Sequence, residues 1–400
     1  MSYIDMLMKE DLLNSFNPSR IQPVIRLIPA RLLLLMVAAT MVLMWSFGAA
    51  DAAGHKLYVS NSGSDSNSCA KGDPCQTIGH AVSVAGAHAE IIVESGTYPE
   101  MVTITSPLSL VGQDATINAS GQDNGFLIQG ASAAGTEIDG FTVENATFEG
   151  ILAMGTSHLT IAHNVVRNND QGAGASPLVG ECAAAGPIPG DCGEALHLWA
   201  VSHSKLINND VHDNVGGILL TDETGPTHDN LVMANHVTNN AADCGITLPS
   251  HNGLAMTDPS AAGVYNNTII GNVSRSNGGA GVGMFAPFPG TASYNNKVIG
   301  NTLENNGEGG ANIHSHAPDQ NVSGNVIVGN SIGGNGVDHD SGSTHPNGIS
   351  LFSAVDPQQE TIAGNQIHDE YYGIFIAGPI TVHGLKGNHF DSSVTVPVQH

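Results

Sequence analysis

The sequence predicts an all-β solenoid of stacked coils, each coil built from three short parallel strands, and three observations carry that reading. First, an asparagine keeps returning in one short phrase: His163-Asn164-Val165, Asn208-Asn209-Asp210-Val211, Ala234-Asn235-His236-Val237 and Gly271-Asn272-Val273, then Gly300-Asn301, Gly329-Asn330, Gly364-Asn365 and Gly387-Asn388. Successive intervals from Asn164 are 45, 26, 37, 29, 29, 35 and 23 residues, which is a repeat of about two dozen residues carrying insertions. Second, each unit opens on a Gly-apolar-x-apolar run, as in Gly217-Ile218-Leu219-Leu220, Gly245-Ile246-Thr247-Leu248 and Gly348-Ile349-Ser350-Leu351. Third, a second apolar run such as Thr268-Ile269-Ile270 or Val326-Ile327-Val328 leads into the recurring Asn, and a stub such as Val211 or Val237 closes the unit. Runs this short with period-two alternation cannot supply the 3.6-residue stripe of a helix.

Taken from the N-terminus, Arg20, Arg26 and Arg31 precede an uncharged apolar run from Leu32 to Ala50 and a small-x-small site at Ala50-Asp51-Ala52. Residues 1–53 therefore read as an export segment, either a signal peptide cleaved near Ala52 or a retained signal anchor. Residues 54–100 read as a cap and first coil. Within them, residues 77–89 place Ile78, Ala81, Val82 and Ala85 on one helical face behind Thr77 as N-cap, a lid for the open edge of the first coil. Residues 101–400 hold the repeats, about ten coils. A second Asn five residues after the first (Asn169, Asn214, Asn240, Asn277, Asn306, Asn335) marks the end of the third strand. Gly and Asn tolerate the left-handed backbone that a sharp bend needs, and stacked Asn amides can hydrogen-bond in a ladder along the axis. The last strand-like run, Val394 to Val398, contains Pro397, which cannot donate to a further strand.

The grammar Gly-Ile-x-Leu, then an apolar strand ending in Gly-Asn, then x-Ile/Val-x-x-Asn, resembles the right-handed parallel β-helix superfamily of pectate lyases, polygalacturonases and alginate epimerases. The segment from Tyr58-Val59-Ser60 to Gly112 is similar to the opening of that fold in secreted bacterial members: a Gly-Ser-Asp loop at Gly63 to Asp65, a helix from Thr77 to Val82, a Gly-Thr-Tyr-x-Glu turn from Gly96 to Glu100, and Leu108-Ser109-Leu110-Val111-Gly112. The resemblance spans roughly residues 57 to 393 and implies a right-handed coil. It implies less about chemistry. The paired aspartates and His-Gly of polygalacturonases, the Arg-x-Pro-x-x-Arg of pectate lyases, the Asp-Pro-His of alginate epimerases and the aspartate motifs of pectin methylesterases are missing.

Composition bounds the function. Residues 54–400 carry seven Lys+Arg against 32 Asp+Glu, a formal charge of −25. Nucleic acid and anionic membranes need basic stripes that are not there, so the only membrane contact expected is through residues 1–53 if they are retained. A polyuronate would be repelled unless a cation such as Ca²⁺ bridged it. Five cysteines fit an oxidising, extracytoplasmic compartment. Local pairing, the simplest assignment, gives Cys69 with Cys75 and Cys182 with Cys192, leaving Cys244; a link from Cys192 or Cys182 to Cys244 is also open.

Along each opening strand the third and fifth positions point outward. They read Leu152 and Met154, His197 and Trp199, Leu219 and Thr221, Thr247, Gly283 and Phe285, Asn312 and His314, Ser350 and Phe352, then Phe375. Trp199, Phe285, Phe352 and Phe375 form an aromatic ribbon suited to stacking on sugar rings, with Asn312 as a polar contact. The insertions 170–194, 221–230, 249–265, 286–294, 315–320 and 336–347 all flank this strand, as walls of a cleft would. His314 is the first candidate for a general base, His197 the second, with Asp222 as a candidate carboxylate. Asp338-His339-Asp340-Ser341-Gly342 has a spacing that suits Ca²⁺ through Asp338 and Asp340; His314-Ser315-His316 is thin evidence for zinc, since a site needs ligands from other segments too. The function expected is a secreted, carbohydrate-engaging protein acting by lyase, epimerase or hydrolase chemistry; the alternative is a non-catalytic glycan-binding or structural solenoid.

Overall fold

The computed structural model describes residues 56–169 and 194–400, which form one compact unit. The export segment and most of the first insertion, with Cys182 and Cys192, lie outside the described residues. The opening strands of the coils stack as one sheet of eleven strands, from Val102–Ile104 to Val396–Gln399, and each strand neighbours the one before it in the chain. Every pairing within it is parallel. The second and third strands of the coils build a 21-stranded sheet, and Thr227–His228, Val264–Tyr265 and Ser293–Tyr294 add a three-stranded strip where insertions rejoin the coil. Inward residues such as Ile218, Leu220, Ile246, Leu248, Ile313 and Ile349 make one continuous apolar column.

Three hydrogen-bonded side-chain ladders pin the bends. In the first, Asn164, Asn209, Asn235, Asn272, Asn301, Asn330, Asn365 and Asn388 donate amide to amide at 2.8–3.0 Å. From Asn209 onward each Oδ1 also accepts the main-chain N–H of the Asn one coil earlier, Asn164 accepting that of Phe141 instead, and each Nδ2 also donates to a strand carbonyl, as from Asn235 to the Leu206 carbonyl oxygen at 2.9 Å. From Asn209 onward no amide valence is left over, although all of these residues but Asn388 are buried. The second ladder runs through Asn169, Asn214, Asn240, Asn277, Asn306 and Asn335 and ends on Glu370. The third, Ser204, Asn230, Asn267, Asn296 and Asn325, was not expected. The left-handed backbone, moreover, falls on the residue before the ladder Asn, not on the Asn itself: Asn208, Ala234, Gly271, Gly300 and Gly329 have positive φ. One position turns the chain; the next closes its hydrogen bonds.

The lid helix is Ile78–Val84, shorter than the 77–89 expected, because the backbone is already extended at Ala85. Thr77 caps it by accepting from the His80 N–H at 3.2 Å, and Glu100 accepts from the N–H groups of Ile78 and Gly79 at 2.9 and 2.8 Å. That contact explains the Gly-Thr-Tyr-x-Glu turn: its last residue satisfies the helix N-terminus. Cys69 and Cys75 are joined by a disulfide. Cys244 is buried, its Sγ accepts from the Ala280 N–H, and it has no disulfide partner among the described residues, outside which Cys182 and Cys192 lie. At the far end Pro397 sits within the last strand. Among the described residues no helix is long and apolar enough to cross a membrane.

Two ladders end on acids. Burial pushes Glu360, against the weaker help of the Asn325 N–H, up to about 9, and burial likewise holds Glu370, against donors from Asn335, at about 7. Both folded values lie above the ordinary value, so each acid favours the folded state below about pH 4.3 and loses that contribution as pH rises through 7 for Glu370 and 9 for Glu360. Glu360→Gln is therefore expected to raise unfolding free energy at pH 8 by on the order of 1–3 kcal/mol and to leave it unchanged at pH 4, as measured by chemical denaturation at the two pH values.

Candidate functional site

The register of the eleven-stranded sheet sets two outward rows. One row passes through Leu152, His197, Leu219, Thr247, Gly283, Asn312, Ser350 and Phe375; the other passes through Met154, Trp199, Thr221, Pro249, Phe285, His314 and Phe352. The rows are those expected, but much of this face is closed. In Glu194–Trp199, Gly216–Thr221 and Ala311–Ser315 every residue is buried, outward ones included, whereas strands of the other sheet, such as Lys297–Ile299, bury only their inward residue. The face flanked by insertions is thus covered over much of its length.

Four expectations change as a result. Trp199 is only 5 % exposed and stacks on His197 with ring centres 5.8 Å apart, so it is a packed ring and not an open sugar platform. His197 has both ring nitrogens engaged, Nε2 2.8 Å from the Thr221 hydroxyl and Nδ1 3.3 Å from Glu149, so neither is left to take a proton from a ligand. Asp222 is a structural staple: its carboxylate accepts from the Ser250 hydroxyl and from the N–H groups of His251, Asn252 and Gly263. Those bonds fasten the 249–265 insertion to the strand, and burial outweighs them to raise the Asp222 value. Asn312 is fully buried, so it is no exposed sugar contact; its amide has no hydrogen-bond partner among the described residues.

The face opens in part at rings on either side of the closed strand Ala311–Ser315. Phe285, Phe352 and Phe375 are half-buried on the outward rows. His314 stands between the first two, its ring centre 5.3 Å from Phe285 and 6.1 Å from Phe352, with His316 beside it at 5.5 Å. The insertion 336–347 delivers Asp338, whose Oδ2 lies 2.7 Å from His314 Nε2. Burial opposes charge on Asp338, yet the His314 hydrogen bond holds it below the ordinary carboxylate value. An ionised Asp338 fixes the proton of His314 on Nε2 and leaves the lone pair on Nδ1. Nδ1 has no partner among the described residues. Burial pushes Glu308 up, reinforced by Asp338, and burial pushes His316 down, reinforced by His314.

This arrangement revises the calcium expectation. Asp338 is fully buried and spends one oxygen on His314 and the other on the Ser341 N–H, while Asp340 reaches solvent. The two carboxylates do not offer Ca²⁺ the cluster of free oxygens it needs. Cations are scarce here as well. No Lys or Arg occurs in the described strands of this sheet or their described insertions, and Arg167 and Arg275 are paired with Glu144 and Glu304 on strands of the other sheet.

Comparison with known proteins agrees with this architecture. A family model described as a right handed beta helix region matches residues 110–285. The chain is a right-handed parallel β-helix. Solved structures similar to it include an alginate lyase from Paenibacillus sp. str. FPU-7, with a TM-score of 0.53 at 12% identity over 82% of this chain and 99% of that one. The catalytic domain of a GH87 α-1,3-glucanase, solved with tetrasaccharides, gives a TM-score of 0.51 at 13% identity over 88% of this chain and 69% of that one. The Dettilon tailspike protein gives 0.51 at 15% identity over 80% and 63%. A search of curated protein sequences finds no match. At these identities the likeness is one of fold.

Packing of Trp199 within the β-helix has a direct consequence. Trp199→Ala is expected to lower stability by about 3–5 kcal/mol, the cost of emptying a buried aromatic site, as read from the denaturation midpoint. A variant as stable as the parent would return Trp199 to the exposed ribbon.

Proposed function

We propose that the protein engages a polysaccharide across the patch where Phe285, His314 and Phe352 meet, and that His314 is its reacting group. The observation that carries this reading is the 2.7 Å bond from His314 Nε2 to buried Asp338, which leaves Nδ1 without a partner between two half-buried phenylalanine rings. Half-buried rings on a rigid strand suit the apolar C–H faces of sugars. An imidazole oriented by a carboxylate is suited to take a proton, from a sugar carbon or from an attacking water. The similar folds whose titles name a lyase of alginate and a glucanase solved with tetrasaccharides are consistent with a glycan ligand, as fold-level analogy.

The absence of Lys and Arg from the described part of this face favours a neutral glycan over an acidic one. The Cys69–Cys75 disulfide supports an extracytoplasmic location, in keeping with the reading of residues 1–53 as an export segment.

The test is a paired screen of the purified protein on an α-1,3-glucan and on alginate, scoring binding and product release. The neutral glucan is expected to be retained without added metal, and alginate only with a divalent cation. Phe352→Ala should weaken retention about 5- to 30-fold with little change in melting temperature. His314→Gln should keep retention and lower turnover by roughly 10²- to 10⁴-fold. Full turnover by His314→Gln removes His314 from the chemistry, and binding without turnover on either glycan makes the protein a binder.

A further inference from the structure

His314 is not alone at this patch. One ligand-capable atom from each of His314, His316 and Asp340 lies within 4.8 Å of the other two. The first two come from the strand Ala311–Ser315 and the residue after it, the third from the insertion that also delivers Asp338. The sequence fragment His314-Ser315-His316 thereby acquires the ligand from another segment that it lacked. The His314 side chain is only 2 % exposed, and Nδ1 nevertheless has no hydrogen-bond partner among the described residues. The amide of Asn312, two residues earlier on the same face and fully buried, is likewise without one. Buried polar atoms without partners are costly, and an ion or ordered water is a common reason for them.

We propose that His314 Nδ1, His316 and Asp340 form a binding site for one divalent transition ion of the Zn²⁺ type, with Asp338 as the positioning carboxylate. Two imidazoles and one carboxylate suit zinc and its neighbours better than Ca²⁺, which takes six or more oxygens. A histidine that gives its other N–H to a carboxylate is the usual way proteins aim a ring at a metal, and Asp338 at 2.7 Å from Nε2 does this for His314. Three protein ligands leave a fourth position open to solvent or to a sugar oxygen. His316 and Asp340 reach solvent, which gives the ion its path in. Glu308, Asp338 and Asp340 surround the position with carboxylates and no Lys or Arg opposes them, so a dication is favoured. The site goes beyond the glycan reading and does not depend on it. Where both hold, metal-loaded His314 and base-active His314 are alternative states, because both use one lone pair.

His203, His228 and Asp229 have a similar spacing on an outer turn and serve as the control. There Asp229 already bonds His228 Nδ1 at 2.7 Å, and His203 is exposed. The experiment is titration of the metal-free full-length protein with Zn²⁺ by calorimetry, checked against a chromophoric chelator. One tight site is expected, unaffected by excess Ca²⁺. His316→Gln and Asp340→Asn, both at solvent-exposed positions, should each weaken it at least tenfold with unchanged melting of the metal-free protein. Asp338→Asn should weaken it about 10- to 100-fold, and His203→Gln should leave it unchanged. No Zn²⁺ binding, binding indifferent to His316→Gln and Asp340→Asn, or binding lost in His203→Gln would each overturn the site.

Discussion

The constraint on which everything else depends is the bend. A coil of three short strands must turn sharply at each corner, and every turn leaves main-chain groups inside that no strand partner can reach. The side-chain ladders remove that cost by letting each Asn accept the N–H of the rung before it, donate to the next amide and donate to a strand carbonyl. Because each rung is completed by its neighbour, a bend cannot shift without breaking bonds in two coils. Register is thereby fixed along the whole axis, and the inward Ile, Val and Leu column inherits it.

That rigidity decides where variation is tolerated. The corner holding the first ladder keeps short turns, so extra chain enters at the two ends of the opening strand, as after Asn169 and Asn335 of the second ladder. Strand and insertion then meet on one face. Asp222 shows the structural outcome, a strand-end carboxylate that gathers the Ser250 hydroxyl and the N–H groups of His251 and Gly263 and ties an insertion down. His314 and Asp338 show the chemical outcome, a strand histidine met by an insertion carboxylate, in which the geometry of a rigid element is completed by a variable one.

How much of this was legible in the sequence follows from which interactions are local. Strand alternation and Asn spacing are local signals, and they were enough to place the outward rows, two of the ladders and the Cys69–Cys75 loop. The third ladder was hidden because Ser204 stands in for Asn on one rung and because Asn230, Asn267, Asn296 and Asn325 each precede the more regular phrase by five residues. Glu360 and Glu370 were hidden because an acid does not look like a rung until burial is known. Exposure was the largest gap: alternation says that Trp199 and His197 point away from the coil, but not that other chain lies over them. The same gap separated Asp338, read as a calcium ligand, from its partner His314, since only the folded insertion brings residues 24 apart in sequence to 2.7 Å.

The function proposed for this protein requires that a ligand engage the open part of the opening-strand face. Hydrogen exchange of the full protein with and without an α-1,3-glucan oligosaccharide tests this directly, because the insertions bordering that face can slow on binding while the laddered corners are already protected. Protection gained in residues 286–294, 315–320 and 336–347, with none at the Asn corners, is the result predicted. Unchanged exchange in those three segments at saturating oligosaccharide, or protection confined to the opposite sheet, would contradict it.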